Sequence, residues 1–334
     1  MSLPRIEISS LSRYRAELMG AAMIFIILFH VFVRRSDPFF GLHRLGNIGV
    51  DMFLFVSGIG LWFAWTKNQS LTRFYKRRLL RIYPAWIIVA CLFYIPDYLN
   101  GGGHSTSVSD LLLDITTNWG FWQHDELTFW YIPAILALYL VAPAYMELVR
   151  RHPVFRWLPV LMIVWCFAVQ WVTPIHQSVG HIEIFWSRVP IFFIGINVGE
   201  MVRQKQSFEG NGWWLLLLIF CATFSFCLYL EQIKHGRFPL FIERLIYIPL
   251  TISSLLLLAK LFQHLPQWVN WFLRLVGTLS LEIYLLHVHF VMKAIAPWHL
   301  GYWGTALCVL LLTLPLAWLL HQLVLLIEKK IFCV

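Results

Sequence analysis

The sequence predicts an all-α, polytopic integral membrane protein, a helical bundle of about ten transmembrane helices with no soluble domain. Three observations carry this. The chain is 59% hydrophobic and 13% charged, where soluble domains hold roughly 25% charged residues, and its mean hydropathy is +0.70. Its apolar residues gather into ten runs, most of them close to the length of about 20 residues that a helix needs to cross a bilayer. Its basic residues are also distributed unevenly between alternate connections, as the positive-inside rule requires.

The runs fall near 15–34, 47–66, 80–98, 129–149, 156–173, 189–203, 212–231, 240–262, 276–296 and 303–327, the sixth being short. With the N-terminus in the cytoplasm, 18 of the 26 lysines and arginines lie inside and 8 outside. The excess fixes the orientation, and an odd number of spans would scramble it. Both termini are therefore expected in the cytoplasm and the protein in the plasma (inner) membrane. No stretch between spans is long or mixed enough to fold by itself, so residues 1–334 read as a single transmembrane domain. The first run lacks a small-residue cleavage site, which argues against a removable signal peptide.

The net charge of +9 follows from this topology and does not call for nucleic acid. The lipid bilayer is the expected partner. Cys91, Cys166, Cys221, Cys227, Cys308 and Cys333 lie in or beside apolar runs with no CxxC pair, so they read as small core residues, with no metal site expected.

Polar side chains inside the spans are the candidates for chemistry. The first run, YRAELMGAAMIFIILFHVF, places His30 about three turns beyond its cytoplasmic start, in the outer half of the membrane. An ionisable group there is costly in hydrocarbon and reads as functional. A neutral imidazole can take a proton from a hydroxyl and return it. The second run opens GNIGVDMFLFVSGIG, and Asp51 sits at a depth similar to His30, where a carboxylate could orient the imidazole or simply suit the first turn of a helix. Gly49, Gly58 and Gly60 allow close helix approach.

Before the third run stands RFYKRRLLRIYP. Arg77 and Arg81 are four apart and Arg78 and Arg81 three apart, so a helix presents them on one side. Arginine forks suit a phosphorylated ligand, although the positive-inside rule and anionic lipid also produce such clusters. The longest outside connection, about 97–128, joins a flexible Gly/Ser stretch to an aromatic and acidic one, and reads equally as a lid or a solvated connector. Trp130, near the outer face, could stack on a sugar ring, as could other aromatics of an interfacial belt. In the ninth run, LEIYLLHVH places Glu282 and His287 in an apolar helix, where Glu282 needs a partner or a water-filled cavity.

Taken in order, FHVF closing the first run, GVDMFLFVSG, FYKRRLLRIYP, FWYIPAILALYLVAP, VPIFFIGINVGE and GTLSLEIYLLH resemble the family-3 membrane-bound acyltransferases over nearly the whole chain. The resemblance implies an integral-membrane enzyme that moves an acyl group, usually acetyl, from cytoplasmic acetyl-CoA to a hydroxyl of an extracytoplasmic saccharide or glycan precursor. No tightly bound cofactor is implied, since acyl-CoA is a donor substrate. His30 matches the family's histidine, and Arg78 with Arg81 its Arg-x-x-Arg pair. Those arginines would hold the phosphates of CoA while His30 acts as the base.

One position departs from the pattern. The family carries an arginine eleven residues before its histidine, where this chain has Met19. Arg15, one turn earlier, has a stem long enough to reach towards the same place. The expected catalytic residues are therefore His30 and Asp51, the donor-binding residues Arg15, Arg77, Arg78 and Arg81, and the acceptor-side residues Trp130, Glu282 and His287. A proton-coupled transporter or flippase of a saccharide or lipid-linked intermediate would also use buried Glu282, His30 and His287. It has no need of a cytoplasmic phosphate cradle.

Overall fold

A computed structural model describes residues 5–124, 126–208 and 211–332. Among them the main helices are α1 (Arg15–His30), α2 (Ile48–Lys67), α3 (Leu71–Leu99), α4 (Tyr131–Arg151), α5 (Leu158–Trp171), α6 (Val189–Arg203), α7 (Gly212–Ile233), α8 (Leu240–Phe262), α9 (Gln267–Thr278), α10 (Ser280–Leu286) and α11 (Gly301–Phe332). A two-residue antiparallel ribbon, β1 (Ile6–Glu7) with β2 (Ser207–Phe208), ties the start of the chain to the connection after α6. Among the described residues seven stretches are long and apolar enough to cross a bilayer singly, and counting each of two bent pairs as one span brings the number to nine, where ten were expected.

The helix ends refine the expected spans. α1 stops at His30 because Val31 turns extended, at φ −67° and ψ 130°. Its 16 residues reach about 24 Å at 1.5 Å per residue, short of the roughly 30 Å hydrocarbon core. His30 therefore ends a helix instead of lying inside one. The expected ninth span begins earlier, at Gln267, and bends by 63° between α9 and α10. One turn further on, His287–Met292 winds wider than an α-helix, a form that recurs at functional sites. The basic segment before the third run forms the opening of α3, where the Ser70 side chain caps the Arg73 amide.

α2 stands at the centre. Of the apolar stretch in Phe40–Lys67, 78% is buried, against 11% in α7, which faces lipid. α2 packs most extensively on α6, and α1 on α9. Both contacts need glycine. A Cβ on Gly58 would meet the Phe192 carbonyl oxygen at 2.4 Å, and one on Gly195 the Phe55 carbonyl oxygen at 2.3 Å. Between α1 and α9, a Cβ on Gly20 would collide with Leu273 O and one on Gly277 with Ala16 O. Backbone meets backbone at both crossings, so neither can yield by a rotamer change. Gly195→Val is accordingly expected to lower the thermal midpoint of the detergent-solubilised protein sharply, by an overpacking cost of at least about 1–3 kcal/mol; an unchanged midpoint would refute the close crossing.

The connection from 97 to 128 contains two short helices and buried polar contacts; Asp125 within it lies outside the described residues. Two short helices, Val108–Thr117 and Trp119–His124, meet at Asn118, which takes a left-handed conformation at φ 50°. Buried Asn118 accepts from the Tyr94 hydroxyl at 2.6 Å and donates to Thr128 O at 2.6 Å. Buried Asp114 accepts from Ser105 Oγ at 2.7 Å and the Gly120 amide at 2.9 Å. Beside this connection, the His289 ring of the wide turn sits 4.9 Å from that of Phe93 on α3 and 4.6 Å from that of Phe129.

Candidate functional site

A cavity of about 710 Å³ of atom-free space enters the bundle among α1, α2, α3, α4 and α10. Arg15, Arg78 and Arg81 stand at one end. Ile26 and Tyr284 line its walls one helical turn short of His30 and His287 respectively.

At the arginine end, α3 turns Arg78 and Arg81 to the cavity through their three-residue spacing. The Arg78 guanidinium lies 5.7 Å from the Phe74 ring centroid and 5.8 Å from that of Tyr139, and its buried Nε has no hydrogen-bond partner. Arg15 opens α1, its Nη2 only 3.4 Å from where a Cβ on Gly60 would stand. Met19 lines the same cavity one turn deeper. Arg15 thus stands at the mouth of the cavity, one turn from the Met19 position. Among the described residues none of Arg15, Arg78 and Arg81 forms an ion pair with a carboxylate. Three neighbouring cations without a counter-charge suit an anionic ligand bearing phosphates. Arg77, expected with them, is exposed and does not line this cavity; it lines a small adjoining hollow with Arg73 and Asn68, which Arg78 also borders.

At the other end, α1 and α10 bring two histidines together. His287 Nε2 lies 3.2 Å from His30 Nδ1, with ring centroids 5.0 Å apart. Backbone carbonyls fix the tautomers, because a carbonyl oxygen only accepts. His287 Nδ1 faces Ile283 O at 3.0 Å and Tyr284 O at 2.9 Å. It must carry the proton, which leaves His287 Nε2 as an acceptor. His30 Nδ1 faces that acceptor and Ile26 O at 2.9 Å, so it too is an N–H donor. The remaining nitrogen, His30 Nε2, is then left with its lone pair, on a ring exposed at the helix end. Buried His287 thereby holds His30 in the tautomer a base needs.

Asp51 does not take that part. Fully buried, it faces Arg188 Nε at 3.5 Å, and among the described residues neither of its oxygens has a hydrogen-bond partner, His30 included. Its position on α2 points it away from the cavity-lining faces of Val50 and Phe53. Arg188 donates to Asn47 Oδ1 at 2.9 Å and stacks 5.2 Å from the Trp130 ring centroid. Trp130 is thus occupied by a guanidinium, where an open sugar-stacking face was expected. Breaking one side of a buried ion pair strands the other charge at a cost of about 3–5 kcal/mol. Asp51→Ala should therefore appear as a lowered thermal midpoint; a normal midpoint with a lost turnover would instead place Asp51 in the chemistry.

Glu282 likewise has a protein partner. Its Oε1 bonds His321 Nδ1 of α11 at 2.7 Å, and the residue lies off the cavity whose wall holds Ser280, Leu281 and Tyr284. Sequence reading did not single out Tyr139 of that wall or buried Arg188, whose stretches, LALYL and SRVP, look like ordinary span residues. Among the described residues no group of three or more His, Cys, Asp or Glu side chains is arranged to hold a metal ion.

Comparison with known proteins places this geometry in context. A family-3 acyltransferase model, described as an acyltransferase domain, matches residues 20–322. The chain is similar to acyltransferase MdmB of Streptomyces mycarofaciens, 29% identical over 137 residues. That match covers 37% of this chain and spans about a third, 33%, of the relative. No solved structure matches.

Proposed function

The chain belongs to the family-3 acyltransferases, and on that premise we propose that it transfers an acyl group, acetyl in the simplest case, from cytoplasmic acyl-CoA to a hydroxyl of an extracytoplasmic saccharide or glycan precursor. One observation carries the reading: a single cavity has three unpaired guanidinium groups at one end and the bare nitrogen of His30 one turn beyond the other. A phosphorylated donor anchored at the first end can extend its thioester towards the second. A carrier would leave that polarity unexplained.

In the proposed reaction the acceptor hydroxyl approaches the exposed His30 ring and gives its proton to Nε2 as its oxygen attacks the thioester carbonyl carbon. The His30 imidazolium that forms keeps its Nδ1–H directed at His287 Nε2 and Ile26 O, which stabilise the charge. Collapse of the tetrahedral intermediate breaks the C–S bond. The departing thiolate takes the proton from His30 Nε2, so the base is restored and CoA leaves as a thiol.

The test is calorimetric titration of acetyl-CoA into the purified protein in lipid nanodiscs. Saturable binding, competed by CoA and not by the phosphate-free thioester S-acetyl-N-acetylcysteamine, is the expected result. A folded sample that binds neither acetyl-CoA nor CoA would overturn the reading.

A further inference from the structure

A second basic pocket lies outside the cavity just described. It encloses about 1050 Å³ of atom-free space and is lined by Arg5, Ser12, Arg13, Phe63, Arg203 and Lys205, among others. Three separate parts of the chain build it: the segment before α1, one side chain of α2, and the end of α6. The β1–β2 ribbon holds the first and third together, extended by a bond from the Ile8 amide to Gln206 O at 3.1 Å. Arg13 pairs with Glu7 at 3.4 Å, Arg203 pairs with Glu200 at 2.7 Å, and Arg5 donates from Nε to Ser207 Oγ at 2.9 Å. Lys205 has no ion-pair or hydrogen-bond partner for its side chain among the described residues. Its backbone is left-handed at φ 54°, a conformation that favours glycine and is kept where the surroundings impose it.

The place of this pocket gives it meaning. Phe63 follows Gly60 by three residues, about 4.5 Å along α2, and Gly60 is the residue against which Arg15 packs. Arg13 precedes Arg15 by two residues. The pocket therefore opens about one turn beyond the arginine mouth of the cavity, on the same end of the bundle. A donor whose thioester arm enters the cavity and whose diphosphate meets Arg15, Arg78 and Arg81 leaves its nucleoside end outside that mouth. CoA carries there a planar base and a phosphomonoester, the chemistry that an aromatic ring and a set of arginine and lysine side chains recognise.

We propose that this pocket receives the 3′-phosphorylated nucleoside of acyl-CoA, with Arg13 and Lys205 on the 3′-phosphate and the Phe63 ring beside the base. The assignment rests on the acyl-CoA reading and deepens it, since it makes the 3′-phosphate a determinant of donor choice. Anionic lipid headgroups offer the same phosphate chemistry, so the test separates the two.

Affinities of CoA and 3′-dephospho-CoA are measured in nanodiscs of phosphatidylcholine, for the wild type and for Arg13→Ala/Lys205→Ala. The wild type should prefer CoA by about tenfold or more, the worth of one charge-assisted hydrogen bond. The double variant, whose two side chains are both exposed, should lose that preference while binding 3′-dephospho-CoA as the wild type does. That retained binding also reports the fold. Equal wild-type affinity for the two ligands would overturn the assignment and leave the acyl-CoA reading standing, as would a preference that survives the double substitution. A wild-type preference abolished by adding phosphatidylglycerol would give the pocket to lipid headgroups. A wild type that binds neither nucleotide would remove the acyl-CoA reading and this assignment together.

Discussion

Replacing His30 with alanine is expected to reduce acyl transfer by a factor on the order of 10² to 10⁴, the usual contribution of a positioned general base, while acetyl-CoA binding stays at the wild-type value. The readouts are incorporation of a labelled acyl group into membrane-extracted glycan and release of thiol from acetyl-CoA. The separation of effects follows from position, since His30 lies beyond the end of the cavity that the donor would fill. Wild-type transfer by His30→Ala would remove the residue from the mechanism. His287 acts through His30 and is a positioning residue: it receives the Nδ1 proton side of His30 at 3.2 Å. His287→Ala should lower kcat and leave KM for the donor unchanged. His287→Gln, whose amide oxygen can still accept from His30 Nδ1, should recover part of the loss. A substitution that merely loosened packing would show no such rescue, so equal activity of the two variants would count against the pair.

The double substitution Arg78→Ala/Arg81→Ala is the second large effect. Each guanidinium offers charge-assisted hydrogen bonds to phosphate worth about 1.5–3 kcal/mol, so removing both should weaken CoA binding by roughly a hundredfold or more. Neither arginine is engaged by a carboxylate in the described structure, so the loss cannot be offset by a freed partner. Arg15→Ala should weaken binding in the same direction, because this residue stands where the cavity lacks a cation at Met19. Arg77→Ala, with its side chain in a different hollow, serves as the contrast and should bind CoA normally. Unchanged binding by Arg78→Ala/Arg81→Ala would return the cluster to the role of a topology signal in an anionic-lipid setting.

The helical membrane architecture was legible because it rests on composition and on lengths of apolar runs, which are local properties. His30, Arg78 and Arg81 stood out as candidates because each contrasts with its own stretch of chain, and the structure puts Arg78 and Arg81 on one cavity with His30 a turn beyond its wall. The boundaries were less legible. The end of α1 at His30 depends on one extended residue, Val31, and the bend between α9 and α10 falls beside the close approach of Gly277 to Ala16. Neither leaves a strong local signature. His287 was visible as a buried polar residue, but its alignment with His30 spans 257 positions.

Asp51 shows the same limit from the other direction. Its sequence depth matched that of His30, and depth is a one-dimensional coordinate. The rotation of α2, fixed by the Gly58–Gly195 crossing with α6, turns it to Arg188 instead. Glu282 and Trp130 were likewise candidates by depth, and helix rotation gives them to His321 and Arg188.

The sequence by itself determined which side chains lie at membrane depth, because that follows from hydrophobic length along the chain. Only the tertiary structure decided which of them face one another, because partnership depends on helix rotation and crossing. Those are set by backbone contacts between glycines far apart in sequence and the carbonyl groups they meet.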